Sequence, residues 1–166
     1  MVNHTKRGEI TFSYENDSLF NDVSLLSAYM AKNIVSEAGS MLDEFCITED
    51  EREIYNECLK QSLPNVYEAV MRIASCSDGA FSDGTGENET TVKMSLIDNS
   101  AYNHNVLTLI DSTLHNCIKY GVLVEFYSIC INDGLYRIAK EKFDTNLFQL
   151  KQRLFQLKKK SVSSQL

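Results

Sequence analysis

The sequence is poor in residues that interrupt helices and has no tryptophan. Its 166 residues include a single proline, Pro64. Because proline is the strongest helix breaker, one proline leaves room for long unbroken helices. No run approaches the ~20 consecutive apolar residues that a membrane-spanning helix needs. The first residues, MVNHTKRGE, also lack the apolar core of a signal peptide. We therefore expect a chain that neither crosses a membrane nor is exported.

Motifs for metal, nucleotide or covalent chemistry are also scarce. The cysteines are odd in number and form no Cys-x-x-Cys pair, which predicts free thiols in a reducing compartment. Of the histidines, His104 and His115 are roughly 16 Å apart by helical rise, too far to share a metal. The acidic, glycine-rich SDGTGEN lacks the lysine of a phosphate loop. We expect no cofactor, no metal and no catalytic residues.

Two short segments alternate between apolar and polar residues, as strands do. In EITFSYE, the side chains of Ile10, Phe12 and Tyr14 fall on one face, and this strand belongs to an N-terminal arm over 1–18. A second alternating run lies at 90–97, after an acidic, glycine-rich loop; together they form the segment 76–97. The second strand can pair with residues 9–15, or the loop can fold back on itself. The sequence leaves both pairings open.

Helical periodicity accounts for most of the remaining chain. Thr48 and Glu51 form a capping-box pattern before a helix that runs to about residue 75, and Pro64 should kink or split that helix. The run 101–131 predicts a long, centrally buried helix, with a strand over 122–131 as the alternative. Asn132-Asp133-Gly134 then predicts a tight turn. The helices expected are 19–38, 48–75, 101–131 and 135–160, followed by a polar tail at 161–166.

These elements predict one domain, residues 1–166, with a mainly α fold. We expect a bundle of about four long helices with a small two-stranded β element and extended termini.

The charged residues are unevenly distributed along the chain. Residues 137–160 hold eight basic and two acidic side chains, whereas the net charge of the whole chain is −7. This division predicts an acidic body with a basic last helix. Because that body repels phosphate and no recognition motif is present, we expect no specific recognition of nucleic acid.

The last helix contains the motif LFQL twice, seven residues apart, and the second copy is followed by three lysines. One seam of this helix follows heptad spacing, and all its residues but one are apolar. The seam consists of Tyr136, Lys140, Phe143, Leu147, Leu150, Leu154 and Leu157, of which Lys140 is the polar one. One interpretation is a core helix; the other is a docking helix, in which the N-terminal half of the stretch 147–160 packs on the bundle and the C-terminal half projects to a partner. On the docking interpretation, the partner-binding residues are Leu147, Phe148, Leu150, Leu154, Phe155, Leu157, Lys158, Lys159 and Lys160.

The stretch VKMSLIDNSAYNHNVLTLIDSTLHNCIKYGVLVEFYSIC and the order of elements around it resemble a known group of proteins. In it a strand ends in an apolar turn, and a long helix then passes through Ile118-Lys119-Tyr120 and Glu125-Phe126-Tyr127. The chain resembles small helical virion proteins of tailed phages of gut Bacteroidetes, and its organisation is similar to that of head–tail connectors, or adaptors. The acidic loop at 76–89 departs from that organisation.

The resemblance implies a non-enzymatic virion protein that is made in the host bacterial cytoplasm. It implies self-association in a ring, with portal and tail proteins as neighbours. Two alternatives stay open: a cytoplasmic helical adaptor or regulator that binds a partner helix, and a small enzyme that uses a thiol of depressed pKa.

Overall fold

The computed structural model describes residues 2–4, 9–32, 45–71, 89–95 and 106–158. Within these ranges the chain is a mainly α bundle of four long helices with a small β element, as the sequence predicts. Residues 76–88 of the predicted loop at 76–89, and the tail at 161–166, lie outside the described residues; Glu89 belongs to a strand. In chain order the elements are β1 (Val2–His4), β2 (Glu9–Glu15), α1 (Asn16–Lys32), a 3-10 turn (Glu49–Glu51), α2 (Arg52–Met71), β3 (Glu89–Ser95), α3 (Leu107–Ile129) and α4 (Asp133–Lys158).

The β element is an antiparallel sheet with the order β1-β2-β3 over the described residues. Its register pairs Phe12 with Val92 on one side and with Val2 on the other. The structure thus selects the pairing of residues 9–15 with the second alternating segment. The third strand, β1, was not predicted, because three residues are too few to show a period of two. Ile10 and Phe12 are buried, which confirms the inward face of β2.

Helix α3 is the centre of the bundle, and α1, α2 and α4 all pack against it. Its second half is buried on nearly every side, including the consecutive residues Val122, Leu123 and Val124. This confirms a helix over these residues and excludes the strand alternative. At Gly121, a Cβ atom would lie 3.0 Å from Ser62 Cβ of α2 and 3.2 Å from the Phe143 ring of α4. Glycine therefore permits the close approach of three helices.

The 3-10 turn that leads into α2 begins where the capping-box pattern predicts, directly after Thr48. The Thr48 backbone N–H donates a hydrogen bond to Glu51 Oε2 at 2.9 Å, and the Glu51 N–H donates to the Thr48 carbonyl at 3.1 Å. Arg52 next to it forms ion pairs with Asp17 of α1 and with Glu49. Its guanidinium also lies 4.5 Å from the centre of the Phe20 ring, a cation–π distance. These contacts join the first turns of α1 and α2.

Pro64 lies inside α2, which continues unbroken from Arg52 to Met71. Of the two predicted effects of Pro64, a kink or a split, the split is therefore wrong. Pro64 is exposed, so water can bind the backbone carbonyl that loses its partner when proline supplies no N–H. The buried residues on either side, Leu63 and Val66, hold both halves of the helix on the core.

Candidate functional site

The candidate docking helix α4 starts at a tight connection from α3. Ile131 has a φ of 52°, and the Asn132 N–H donates to the Tyr127 carbonyl at 3.2 Å. This is the bond of a Schellman cap, in which the left-handed residue is usually glycine. Asn132 then caps α4, because its Oδ1 accepts a hydrogen bond from the Leu135 N–H at 2.9 Å. The predicted turn at Asn132-Asp133-Gly134 is therefore shifted: Gly134 is already helical, and Ile131 makes the turn.

The buried side of α4 only partly follows the predicted heptad seam. In the second half, Leu150, Leu154 and Leu157 are buried as expected, and Leu147 is partly buried against the core. In the first half, Leu135 and Ala139 are buried, whereas Tyr136 and Lys140 are more exposed. A straight helix of 3.6 residues per turn drifts about 20° per heptad away from a 3.5-residue repeat. That drift carries the buried side from one set of positions to the other.

The second half of α4 packs on the bundle and does not project from it. Leu154 and Leu157 are 2% and 0% exposed. Arg153 donates a hydrogen bond to the Leu109 carbonyl of α3 at 2.6 Å, which fixes this half to the first turn of the central helix. The predicted projection is therefore wrong as far as Leu157, because Leu154 and Leu157 fill the chain's own core.

Two members of the predicted binding set do face solvent. Phe148 and Phe155 are 62% and 59% exposed, and they lie two turns apart on the side of α4 opposite the buried leucines. Lys151 and Gln152 lie between them on the same side. We call these four residues the α4 face. Lys158 is the last described residue of α4, and Lys159 and Lys160 lie outside the described residues.

A groove runs between α2 and α4, with α3 as its floor. Its volume is about 360 Å³, and Gly121 and Ser62 lie at its base. The rim carries both signs of charge, with Glu68 and Glu125 on one side and Lys151 on the α4 side. The groove is large enough for one or two side chains of a partner, and its mixed rim favours no single sign of ligand charge.

A cluster of titratable side chains joins β2, α1 and α3. Tyr14 donates a hydrogen bond to Asp111 Oδ1 at 2.8 Å, and its ring stacks on His115 with the ring centres 5.1 Å apart. His115 Nε2 lies 3.3 Å from Asp22 Oδ2. The sequence interpretation missed this cluster. Asp111 and His115 are four residues apart on one helical face, a signal that was available; Tyr14 and Asp22 come from other elements.

The cluster shifts the pKa values of two of its members. Burial raises the pKa of Tyr14, and the nearby Asp111 carboxylate raises it further. Burial lowers the pKa of His115, and Lys119 adds to that effect, while Asp22 opposes it. His115 is therefore held in its neutral form at neutral pH. The cluster fastens the sheet to the helices by a stack and a hydrogen bond.

The cysteines in the described residues are free thiols, as predicted. Cys58 and Cys117 are fully buried, and burial raises their pKa values to about 11 and about 12. Cys76 lies outside the described residues. An activated thiol has a lowered pKa, so these two side chains act as small apolar residues of the core.

Among the described residues, no group of three or more His, Cys, Asp or Glu side chains is arranged to hold a metal ion. No helix in the described part of the chain is long and apolar enough to cross a membrane. Comparison of the chain with protein-family models, curated proteins and solved structures found no match.

Proposed function

We propose that the chain is a structural protein of a tailed-phage virion, a head–tail connector subunit that forms a ring between portal and tail. The observation that supports this proposal is the α4 face. Single exposed apolar residues are common on protein surfaces and need no explanation. Two phenylalanines aligned on the polar side of a helix are different, because both are mostly exposed although the same helix buries its leucines in the core.

Exposed aromatic rings are the side chains that most often supply the binding energy of protein interfaces. Phe148 and Phe155 lie two turns apart, roughly 10 Å along the helix axis at 1.5 Å per residue. Lys151 between them is available to pair with an acid on the neighbour. This arrangement suits a protein neighbour that lies along α4, such as another subunit, the portal or the tail.

The charge distribution supports assembly of an acidic body with a basic helix. The α4 segment, 133–158, carries six basic and three acidic residues. Opposite potentials on two surfaces steer association and set the register between neighbours. The expected partners are therefore copies of the same chain together with portal and tail proteins, within a virion assembled in a bacterial cytoplasm.

Electron microscopy of the purified protein, alone and with extracts of late-stage phage particles, tests this proposal together with its mass in solution. Rings, or density beneath a portal, are the expected result. The Phe148→Ser/Phe155→Ser variant should lose assembly. Gln149→Ser/Gln156→Ser is the matched control, with the same spacing on another side of α4 and both positions exposed. A chain that is missing from particles and never associates would refute the proposal.

The groove favours a second candidate, a cytoplasmic adaptor or regulator that binds one partner helix. A helix that lies between α2 and α4 could place a side chain over Gly121. The Asn65→Trp substitution, at an exposed position on the groove wall, should abolish such binding and leave ring assembly unchanged. A chain that forms no rings, and that binds a partner helix in the Phe148→Ser/Phe155→Ser variant but not in the groove variant, would favour the adaptor over the connector.

A further inference from the structure

The connection between α3 and α4 is short and strained. Only Cys130, Ile131 and Asn132 lie between Ile129, the last residue of α3, and Asp133, the first residue of α4. We call these three residues the hinge. Ile131 holds the left-handed conformation, with a φ of 52°. Its Cβ disfavours that conformation roughly fivefold to thirtyfold relative to the right-handed helical one.

The hinge is built from residues that a continuous helix accepts. It contains no proline and no glycine, and Cys130 already has a right-handed helical conformation with a φ of −73°. When Ile131 adopts the same conformation, α3 and α4 join into one helix. The last carbonyls of α3 and the first amides of α4, which helix ends leave without helical partners, then bond each other. Straightening the hinge therefore removes strain and adds backbone hydrogen bonds.

A straightened hinge separates α4 from its own bundle, and a second copy of the chain supplies the replacement. The surface that α4 leaves is the one that the structure shows covered by α4. There Leu150 and Leu154 fill the core, and Arg153 donates a hydrogen bond to the Leu109 carbonyl. Because the two chains are identical, α4 of the second copy restores all of these contacts. Only the hinge differs between the two arrangements.

Exposed isoleucines lie at the hinge and beside it. Ile129, Ile131 and Ile138 are 55%, 86% and 41% exposed. When two copies exchange α4 reciprocally, their straightened hinges cross at the two-fold axis that relates the copies. The isoleucines of both chains then lie near that axis and pack on each other. The exchange thus buries apolar surface that the single chain leaves in water.

We infer that two copies of the chain exchange α4 through a straightened hinge and form a two-fold dimer. A short connection under strain is the kind of connection that favours such an exchange. The inference does not depend on the connector proposal, because it uses the buried side of α4 and not the α4 face. An exchanged dimer still exposes Phe148 and Phe155.

Refolding from urea over a range of protein concentrations, followed by size-exclusion chromatography with light scattering, tests the inference. The wild type should form a dimer whose share rises with the concentration during refolding. Diluted without urea, the isolated dimer should persist for hours, because its return to monomer requires α4 to leave the core.

Variants of Ile131 test the role of the hinge. Ile131→Gly relieves the strain of the single chain and also disfavours a continuous helix. Because each dimer contains two hinges, the association constant of the dimer should fall at least about twentyfold. Ile131→Ala keeps the Cβ atom and should lower the association constant less than glycine does. Equal association of the glycine variant and the wild type would overturn the inference.

A complementation experiment distinguishes exchange from docking of intact bundles. Gly121→Val crowds the Phe143 ring, and Phe143→Ala leaves a cavity beside Gly121. In an exchanged heterodimer of these two variants, one bundle combines Gly121 with Phe143, the wild-type pair, and the other combines the larger residue with the cavity. Refolding an equimolar mixture should therefore give more heterodimer than the statistical half, measured by native mass spectrometry. Docked bundles keep each pair within one chain and give no excess, which would overturn the inference.

Further outcomes separate this inference from the proposed function. A wild-type chain that refolds only to monomer at every concentration, or a dimer that dissociates within minutes of dilution, overturns the inference and leaves the connector proposal standing. The Phe148→Ser/Phe155→Ser variant should form the same slowly dissociating dimer as the wild type while losing rings. Loss of the dimer in this variant would mean that the α4 face makes the contact. Exchanged dimers of a chain that is absent from particles would overturn the connector proposal alone.

Discussion

Phe148 and Leu150 are two residues apart in the first LFQL motif. Replacing each with alanine should change the free energy of unfolding by very different amounts. Leu150 is 0% exposed, so Leu150→Ala leaves a cavity in the core. Substitutions of this kind lower the free energy of unfolding by about 2–5 kcal/mol. Leu150 lies between α4 and the central helix, where neighbouring helices cannot collapse easily into the space. We expect a loss in the upper half of that range.

Phe148 is 62% exposed, so about two fifths of it is covered. Complete burial of a phenylalanine side chain is worth about 1.5–3 kcal/mol, and the covered part is therefore worth about 1 kcal/mol. Alanine recovers about 0.5 kcal/mol of helix propensity over phenylalanine. The Phe148→Ala substitution should thus change the free energy of unfolding by no more than about 0.5 kcal/mol.

Equilibrium unfolding in urea, followed by circular dichroism on dilute monomeric protein, measures both free energies. Self-association of the same two variants, measured under conditions where both are folded, should show the reverse order, with Phe148→Ala the weaker. The reasoning would be refuted if Phe148→Ala lost as much stability as Leu150→Ala, because the phenylalanine would then be part of the chain's own core.

Four further changes test other parts of the structure. Ile131→Gly should raise the free energy of unfolding by about 0.5–1 kcal/mol in urea titrations, because glycine adopts a positive φ without the Cβ clash. Gly121→Val should lower it by about 1–3 kcal/mol, because α3 has no room for the added atoms beside its two neighbours. His115 has a lowered pKa in the folded state, so its contribution to stability is complete above pH ~6.5 and is lost as the pH falls through its folded pKa. Its NMR titration should move to still lower pH in Asp22→Asn, which removes a carboxylate that favours the charged imidazole. Native Cys117, with a pKa raised to about 12, should react with iodoacetamide only when the protein unfolds.

Each of these four has an outcome that contradicts it. Ile131→Ala keeps the Cβ atom and should give less stabilisation than glycine; equal effects would point away from backbone strain. Unchanged stability of Gly121→Val would mean that the helices separate freely. The stability of His115→Gln should depend less on pH below about 6.5 than that of the wild type, and identical slopes would remove the role of the imidazole. Alkylation of Cys117 as fast as that of a small free thiol would contradict its burial.

The sequence predicted elements well where a local pattern and the packing agree. The alternation of Ile10 and Phe12 identified β2, and Thr48 with Glu51 identified the start of α2. The unbroken apolar run after Gly121 identified the central helix, because only a helix surrounded by others can be apolar on all sides. In each case the information lies within one or two turns of the chain.

Prediction was poorer where a feature depends on distant parts of the chain. Asn132 is compatible with two structural roles, as a residue of a tight turn or as the N-cap of a helix. Which role it takes depends on the left-handed backbone conformation of Ile131 before it. In the two LFQL motifs some leucines are buried and the phenylalanines are exposed. Predicting this requires the position of α3. The cluster of Tyr14 with Asp111 and His115 required knowledge that β2 lies against α3, which no local period encodes.

The pairing of β2 with β3 has a consequence for how the protein is made. β2 lies at residues 9–15 and β3 at residues 89–95, so both α1 and α2 are synthesised between the two partners. The central helix is made later still. A nascent chain therefore carries two amphipathic helices before the central helix is made, and a strand, β2, that has only its short partner β1. Contacts of such large sequence separation form slowly, because a long loop must close first. The apolar surfaces exposed in that interval are where a chaperone would bind.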